Sequence, residues 1–190
     1  MRLLAVFTVV AALAASASFA APQDASDRLP EKFRAFAVSL GGPRTTAGTA
    51  QVDITIDRWS SDAERERLIK ALKNGQNELL QTLRDLEPVG SIRTATSLAY
   101  DLHYSNQTPG EEGGRRIFLA TDRPIGFWEA VNRPRSINYP FTFIELRMNG
   151  EGQGEGKLSL ATKVIASGPI VQLENWAAQP VQLNQVRKVE

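Results

Sequence analysis

Apolar and polar residues alternate with a period of two over most of this chain, and a helical period interrupts the alternation once. Val52, Ile54 and Ile56 alternate with Asp53, Thr55 and Asp57 within 50–59. Such a segment turns one side to a core and the other to water. Residues 33–40 read as a short apolar strand closed by Gly41-Gly42-Pro43, and Leu98, Tyr100, Leu102 and Tyr104 alternate with Ala99, Asp101 and His103. Further strands are expected at 116–121, 141–148, 156–165 and 181–189. Between two of them lies Asn149-Gly150-Glu151-Gly152-Gln153-Gly154-Glu155, in which the Asn-Gly step permits positive φ and signals a hairpin. Residues 106–114 read as a loop, with Pro109-Gly110 as the turn.

The helical period runs from Ser61 to about Pro88. Ser61 stands three residues before Glu64, the spacing of a capping box, in which each side chain satisfies a free backbone donor of the other. Leu68, Ile69, Leu72, Leu79, Leu80 and Leu83 then form one stripe, with Gly75 inside the pattern and Pro88 as the stop. Short connections between the strands favour antiparallel pairing, because a parallel crossover needs a dozen or more residues. The expected fold is α+β: a curved antiparallel sheet of about seven strands, open or partly closed into a barrel, with one long helix packed on it.

The N-terminus has a different character. Arg2 is followed by Leu, Val, Phe and Ala residues, and the run ends in small residues at Ser18-Phe19-Ala20-Ala21. This is the pattern of a secretory signal peptide cleaved after Ala20, with dilution by Thr8, Ser16 and Ser18 arguing against a retained span. Residues 1–20 are therefore expected to be a signal peptide, 21–32 a flexible lead-in with two prolines, and 33–190 a single domain. The expected location is the periplasm or the external medium, with no membrane span left after cleavage.

Composition narrows the chemistry. The chain has 22 Lys and Arg against 21 Asp and Glu; loss of Arg2 with the leader makes the two equal. A balanced charge argues against a nucleic-acid partner, whose phosphates call for a positive surplus. There is no cysteine, hence no disulfide and no lipidated N-terminal cysteine, and a single histidine, His103. A dedicated zinc or copper site is not expected, nor any other metal or cofactor, since no phosphate-cradling glycine motif is present either. The arginines at 115–116 and 133–135 read as charged edges of sheet and loop.

No catalytic residue is assigned. Asp101, His103 and Ser105 share one side of a strand, but with about 7 Å between successive same-side positions they cannot form a triad. Asp53 and Asp57 are separated by about 13 Å on the same argument and read as solvated strand charges. The aromatics are the better lead: Trp59, Phe118, Phe127, Trp128, Tyr139, Phe141, Phe143 and Trp176 lie at strand ends and connections, and aromatic residues on the concave face of a sheet suit an apolar or carbohydrate ligand. The candidate ligand-binding residues are Phe127, Trp128, Trp59 and Trp176. The leading expectation is a non-catalytic exported domain that binds a small apolar ligand or an envelope protein. The alternatives are a hydrolase using carboxylates such as Asp122 and Glu129, and an assembly module that pairs through a sheet edge.

Residues 114–125 (GRRIFLATDRPI), 139–147 (YPFTFIELR) and 173–181 (LENWAAQPV) together resemble a group of small exported bacterial proteins. The resemblance implies a bacterial, exported protein and carries no activity, ligand or site residue with it.

Overall fold

The longest alternating runs build the backbone of the fold. Strand β1 (Glu31–Gly42) and strand β2 (Thr45–Ile56) form an antiparallel hairpin in which Phe33 faces Ile54 and Ala35 faces Val52 across the ladder. The remaining strands are β3 (Gly90–Thr94), β4 (Tyr100–Leu102), β5 (Tyr104–Pro109), β6 (Arg115–Thr121), β7 (Phe141–Met148), β8 (Gln153–Ser167), β9 (Ile170–Asn175) and β10 (Val181–Lys188). They belong to one sheet of order β4-β3-β2-β1-β10-β8-β7-β6-β5, with β9 added to β8, and every pairing is antiparallel. The computed structural model describes residues 29–42, 45–123, 139–167, 170–175 and 179–189. The expected signal peptide therefore lies outside the described residues.

The two ends of this order, β4 and β5, are consecutive in the chain and separated by His103 alone. Leu102 O still accepts from Val89 N at 2.7 Å on the β3 side, while His103 N already donates to Ala120 O of β6 at 2.9 Å. One residue thus carries the chain from one end of the sheet to the other and nearly closes it into a barrel. Ser105 reinforces the seam: its hydroxyl donates to Arg58 O at 2.8 Å and its backbone N to the Ser60 hydroxyl at 3.0 Å.

Alternation decides what fills the barrel. Ile54, Ile92, Leu102, Ile117, Leu119, Ile144, Leu146, Leu158 and Leu183 point inward and are at most 1 % exposed. Each such side chain contributes roughly 1.5–3 kcal/mol by leaving water. Trp59 and Tyr100 pack against this interior from its margin. One end of the barrel is closed by ions. Glu31 is fully buried, accepts from Lys188 Nζ at 2.7 Å and from Arg115 Nη2 at 3.0 Å, and the Arg115 guanidinium lies 5.8 Å from the centre of the Phe33 ring.

Two short helices cover part of the outside. Helix α1 (Asp62–Asn74) starts at the expected capping box: Ser61 Oγ accepts from Glu64 N at 3.3 Å and Glu64 Oε2 from Ser61 N at 2.7 Å. Helix α2 (Gln76–Arg84) follows after Gly75. At φ 115° Gly75 has a conformation that a side chain would strain, and here the expected single long helix breaks in two. The Gln76 side-chain oxygen accepts from Val164 N at 3.0 Å and ties α2 to β8.

Among the described residues the fold is thus sheet-dominated, a nearly closed antiparallel barrel with two short α-helices, rather than an α+β arrangement of about seven strands and one long helix. Three strands separate expectation from structure. The segment expected at 98–104 splits at His103 into β4 and β5, with Leu98 left exposed in the connection before β4. β3 has only Ile92 as a large apolar residue, and β9 is a short strand added to β8; neither had a long alternating run to announce it. Part of the expected loop at 106–114 extends β5 to Pro109, and β1 begins at Glu31, inside the stretch expected to be a lead-in.

Candidate ligand cleft

The outward side of β5 to β8 carries the aromatics. On β7, Thr142, Ile144, Leu146 and Met148 take one side, and Phe141, Phe143, Glu145 and Arg147 the other. Phe143 stands opposite Ala120 of β6 and Ser159 of β8, and Ala120 opposite Tyr104 of β5, so these four residues form one cross-strand row. Phe141 and Phe143 stack at 5.8 Å between ring centres, Phe143 and Phe118 at 5.4 Å, and Phe118 meets Tyr104 edge-on at 6.4 Å. Offset-stacked and edge-on pairs at these separations are favourable beyond their area burial. The result is a continuous aromatic strip on the outside of the barrel.

A bulge extends the strip. Register between β7 and β8 shifts between the Phe141 and Phe143 positions, and Ala161 has φ 47°. An inserted residue moves everything beyond it to the opposite side of the strand. Leu158 and Leu160 therefore belong to the barrel interior, while Val164 joins Phe141 outside, facing Leu173 of β9 across the ladder.

The helices stand over this strip without filling the space. Leu68 and Leu72 of α1 and Leu79 and Leu83 of α2 face Tyr104, Phe118, Ala120, Phe141, Phe143, Val164 and Leu173 across a cleft of about 290 Å³. Tyr104 brings the one polar side-chain atom among these lining residues. Burial pushes its phenol pKa up, and the charge of Arg65 partly opposes that rise. A larger bay of about 740 Å³ lies at the ionic end of the barrel between the hairpin loops, with Gln107, Arg115, Asn149, Glu151 and Lys188 among its walls. Its two cations are already engaged by Glu31.

Two polar clusters flank the cleft. Arg58 donates to Glu64 at 2.9 and 3.0 Å and to Glu87 O at 2.8 Å, anchoring the start of α1 to the segment before β3. The hydrogen bond from Arg58 is the main reason that the Glu64 carboxyl titrates at about 2, with the bonds from Ser61 adding to it against the cost of burial. At the end of β6, Asp122 is 3.1 Å from Arg84 Nε, 3.5 Å from Arg123 Nε and 3.8 Å from His103 Nε2, while His103 Nδ1 lies 2.9 Å from Leu86 O.

The expected site residues fall as follows. Trp59 packs against the barrel interior and not in the cleft, while Phe127, Trp128 and Trp176 lie outside the described residues. Phe118, Phe141 and Phe143, from the wider set of aromatics, line the cleft. They do so on the convex outer face, because aliphatic side chains and Phe33 fill the concave one. Of Asp101, His103 and Ser105, which alternation puts on one side of a strand, only Asp101 is exposed: Ser105 is fully buried at the seam and the imidazole is turned toward Asp122. Asp53 is paired with Arg34 at 2.8 Å, Arg115 is turned to the buried Glu31, and Glu129 and the arginines at 133–135 are outside the described residues. Among the described residues no group of three or more His, Asp or Glu could hold a metal ion, and no helix is long and apolar enough to cross a membrane.

Leu79 and Leu83 could be found from periodicity as inward helix positions, whereas the alternation put Tyr104 on one side with Leu102, an arrangement that the passage through His103 breaks: Leu102 turns into the barrel and Tyr104 into the cleft. Comparison of the chain with family models, with curated proteins and with solved structures finds no match.

Proposed function

We propose that this protein binds a small apolar ligand in the cleft between its helix pair and the aromatic strip of the barrel. One observation carries the reading: a cleft of about 290 Å³ walled by leucine, valine, alanine and aromatic side chains. Apolar cavities of about 150 Å³ stay dry and accept a benzene ring, so this one has room for a ligand about twice that size. The lining polar atom is too exceptional for a carbohydrate, whose hydroxyls would lose water without replacement bonds. For catalysis, the described lining residues bring no hydroxyl, thiol or amine other than the Tyr104 phenol, and Asp122, two residues beyond Ala120 of β6, is held among two arginines and a histidine. The reading is of a binding protein, exported in keeping with its expected signal peptide.

The test is fluorescence of the neutral probe N-phenyl-1-naphthylamine. Its emission is expected to rise on binding and to fall as 1-decanol displaces it, with dissociation constants on the order of 10 μM for ligands of this size. The variant Ala120→Phe, which fills the cleft from its floor, is expected to abolish the signal. Probe binding that survives this substitution unchanged would place the ligand elsewhere.

A further inference from the structure

The outer face of the barrel changes character along the strands. The row Tyr104, Ala120, Phe143, Ser159 is followed by Asn106, Phe118, Glu145, Lys157 and then by Thr108, Arg116, Arg147, Glu155. Within two residues per strand the surface passes from hydrocarbon to charge. Arg116 and Arg147 both lie on Glu145, at 3.3 and 3.0 Å, and Lys157 is exposed beside it. On the helix above, Arg65 precedes Leu68 and Leu72 by three and seven residues, which puts it on the cleft side of α1, one turn before the leucines that line it. Its charge is felt by the Tyr104 phenol at the cleft wall. Arg65 is exposed and has no ion pair among the described residues. Arg65, Arg116, Arg147 and Lys157 thus stand toward this end of an apolar cleft against Glu145, Glu155 and, three residues before Arg65 on α1, Asp62.

We propose that the ligand is an amphiphile with an anionic head, a fatty-acid-like carboxylate with a tail of roughly ten carbons as judged from the benzene-sized reference volume, whose tail lies between the leucines and the aromatic strip and whose head rests on Arg65 beside Tyr104. The proposal rests on the cleft being a ligand site. A tail alone gains from leaving water but has no preferred direction; an unpaired guanidinium at one end supplies both direction and selection by charge.

Calorimetric titration of the full chain near neutral pH with decanoate, 1-decanol and decylammonium separates the two claims. Decanoate is expected to bind about fivefold more tightly than decanol, the scale of a partly exposed ion pair, and decylammonium more weakly than either. Arg65→Gln is expected to remove the advantage of decanoate and leave decanol binding unchanged; rising salt should act in the same direction. Equal binding of acid and alcohol by the native chain, or an Arg65→Gln variant that keeps the preference, overturns the anionic head while leaving the cleft reading in place. Failure of all three ligands to bind overturns both.

Discussion

Ile144 and Phe143 are neighbours on one strand and belong to two apolar regions built in different ways. Ile144 points into the barrel, where aliphatic residues and Phe33 meet from all sides and almost nothing remains exposed. Phe143 points out into a layer of three phenylalanines and a tyrosine, covered by two short helices that leave a cleft. Inside the barrel, a nearly closed ring of strands fixes the volume, and side chains of defined shape fill it to the density of a protein interior. Outside, the spacing between helix and sheet is set by a break at Gly75 and by a few tethers such as Gln76 to Val164. A region closed by backbone hydrogen bonds is forced to be full; one closed by a lid of helices is free to keep a void.

The largest effect should come from the ionic end of the barrel. Glu31→Ala removes the partner of two cations at a buried position and is expected to cost about 3 kcal/mol or more, read from the shift of the urea midpoint. If the cost is under 1 kcal/mol, the barrel end is not closed by these ions. Next, Ile144→Ala is expected to cost about 3 kcal/mol and Phe143→Ala about half of that, because the outer position already borders a void. Equal costs would mean that the two regions are packed alike. Ser61→Ala, which removes the cap of α1, is expected to cost about 1 kcal/mol and to speed amide exchange in α1 and α2 before that of the barrel strands.

The mildest expectation concerns acid. The Glu64 carboxyl is lowered from its ordinary value of 4.5 to about 2 in the folded chain, first by the hydrogen bond from Arg58. Its contribution to stability is thus complete above about 4.5 and is lost as the pH falls toward about 2, where the folded state also takes up the proton. Exchange in the helices should quicken over this range while the barrel interior stays protected, and Glu64→Gln should flatten the response.

Much of this architecture is legible in residue order because it depends on neighbours. Alternation at Val52-Ile56 or at Phe141-Met148 needs only that one side of a strand meet a core. The Ser61–Glu64 box needs three residues of spacing, and the hairpin at Asn149 only a local turn, where Gly154 also keeps clear of the Arg147 carbonyl opposite. The cleft was less legible. Its aromatics stood out as a class, but Phe118, Phe141 and Phe143 could not be told from core residues, and a concave site was expected where the convex face carries it. The bulge at Ala161, which turns Val164 outward, leaves no trace in the hydrophobic period, since Leu158, Leu160, Thr162 and Val164 alternate with Ser159, Ala161 and Lys163 straight through it.

The chain by itself determined that its strands pair antiparallel, that one helical segment begins at Ser61, and that its long alternating strands each have an apolar side. Only the tertiary structure decided that β4 and β5 meet at His103 to close a barrel, that Glu31 finds Arg115 and Lys188 across 84 and 157 residues, and that helices and aromatics enclose a cleft. The division follows from range. Local patterns report which surfaces are apolar, while closure and the space left between layers depend on which distant residues face one another.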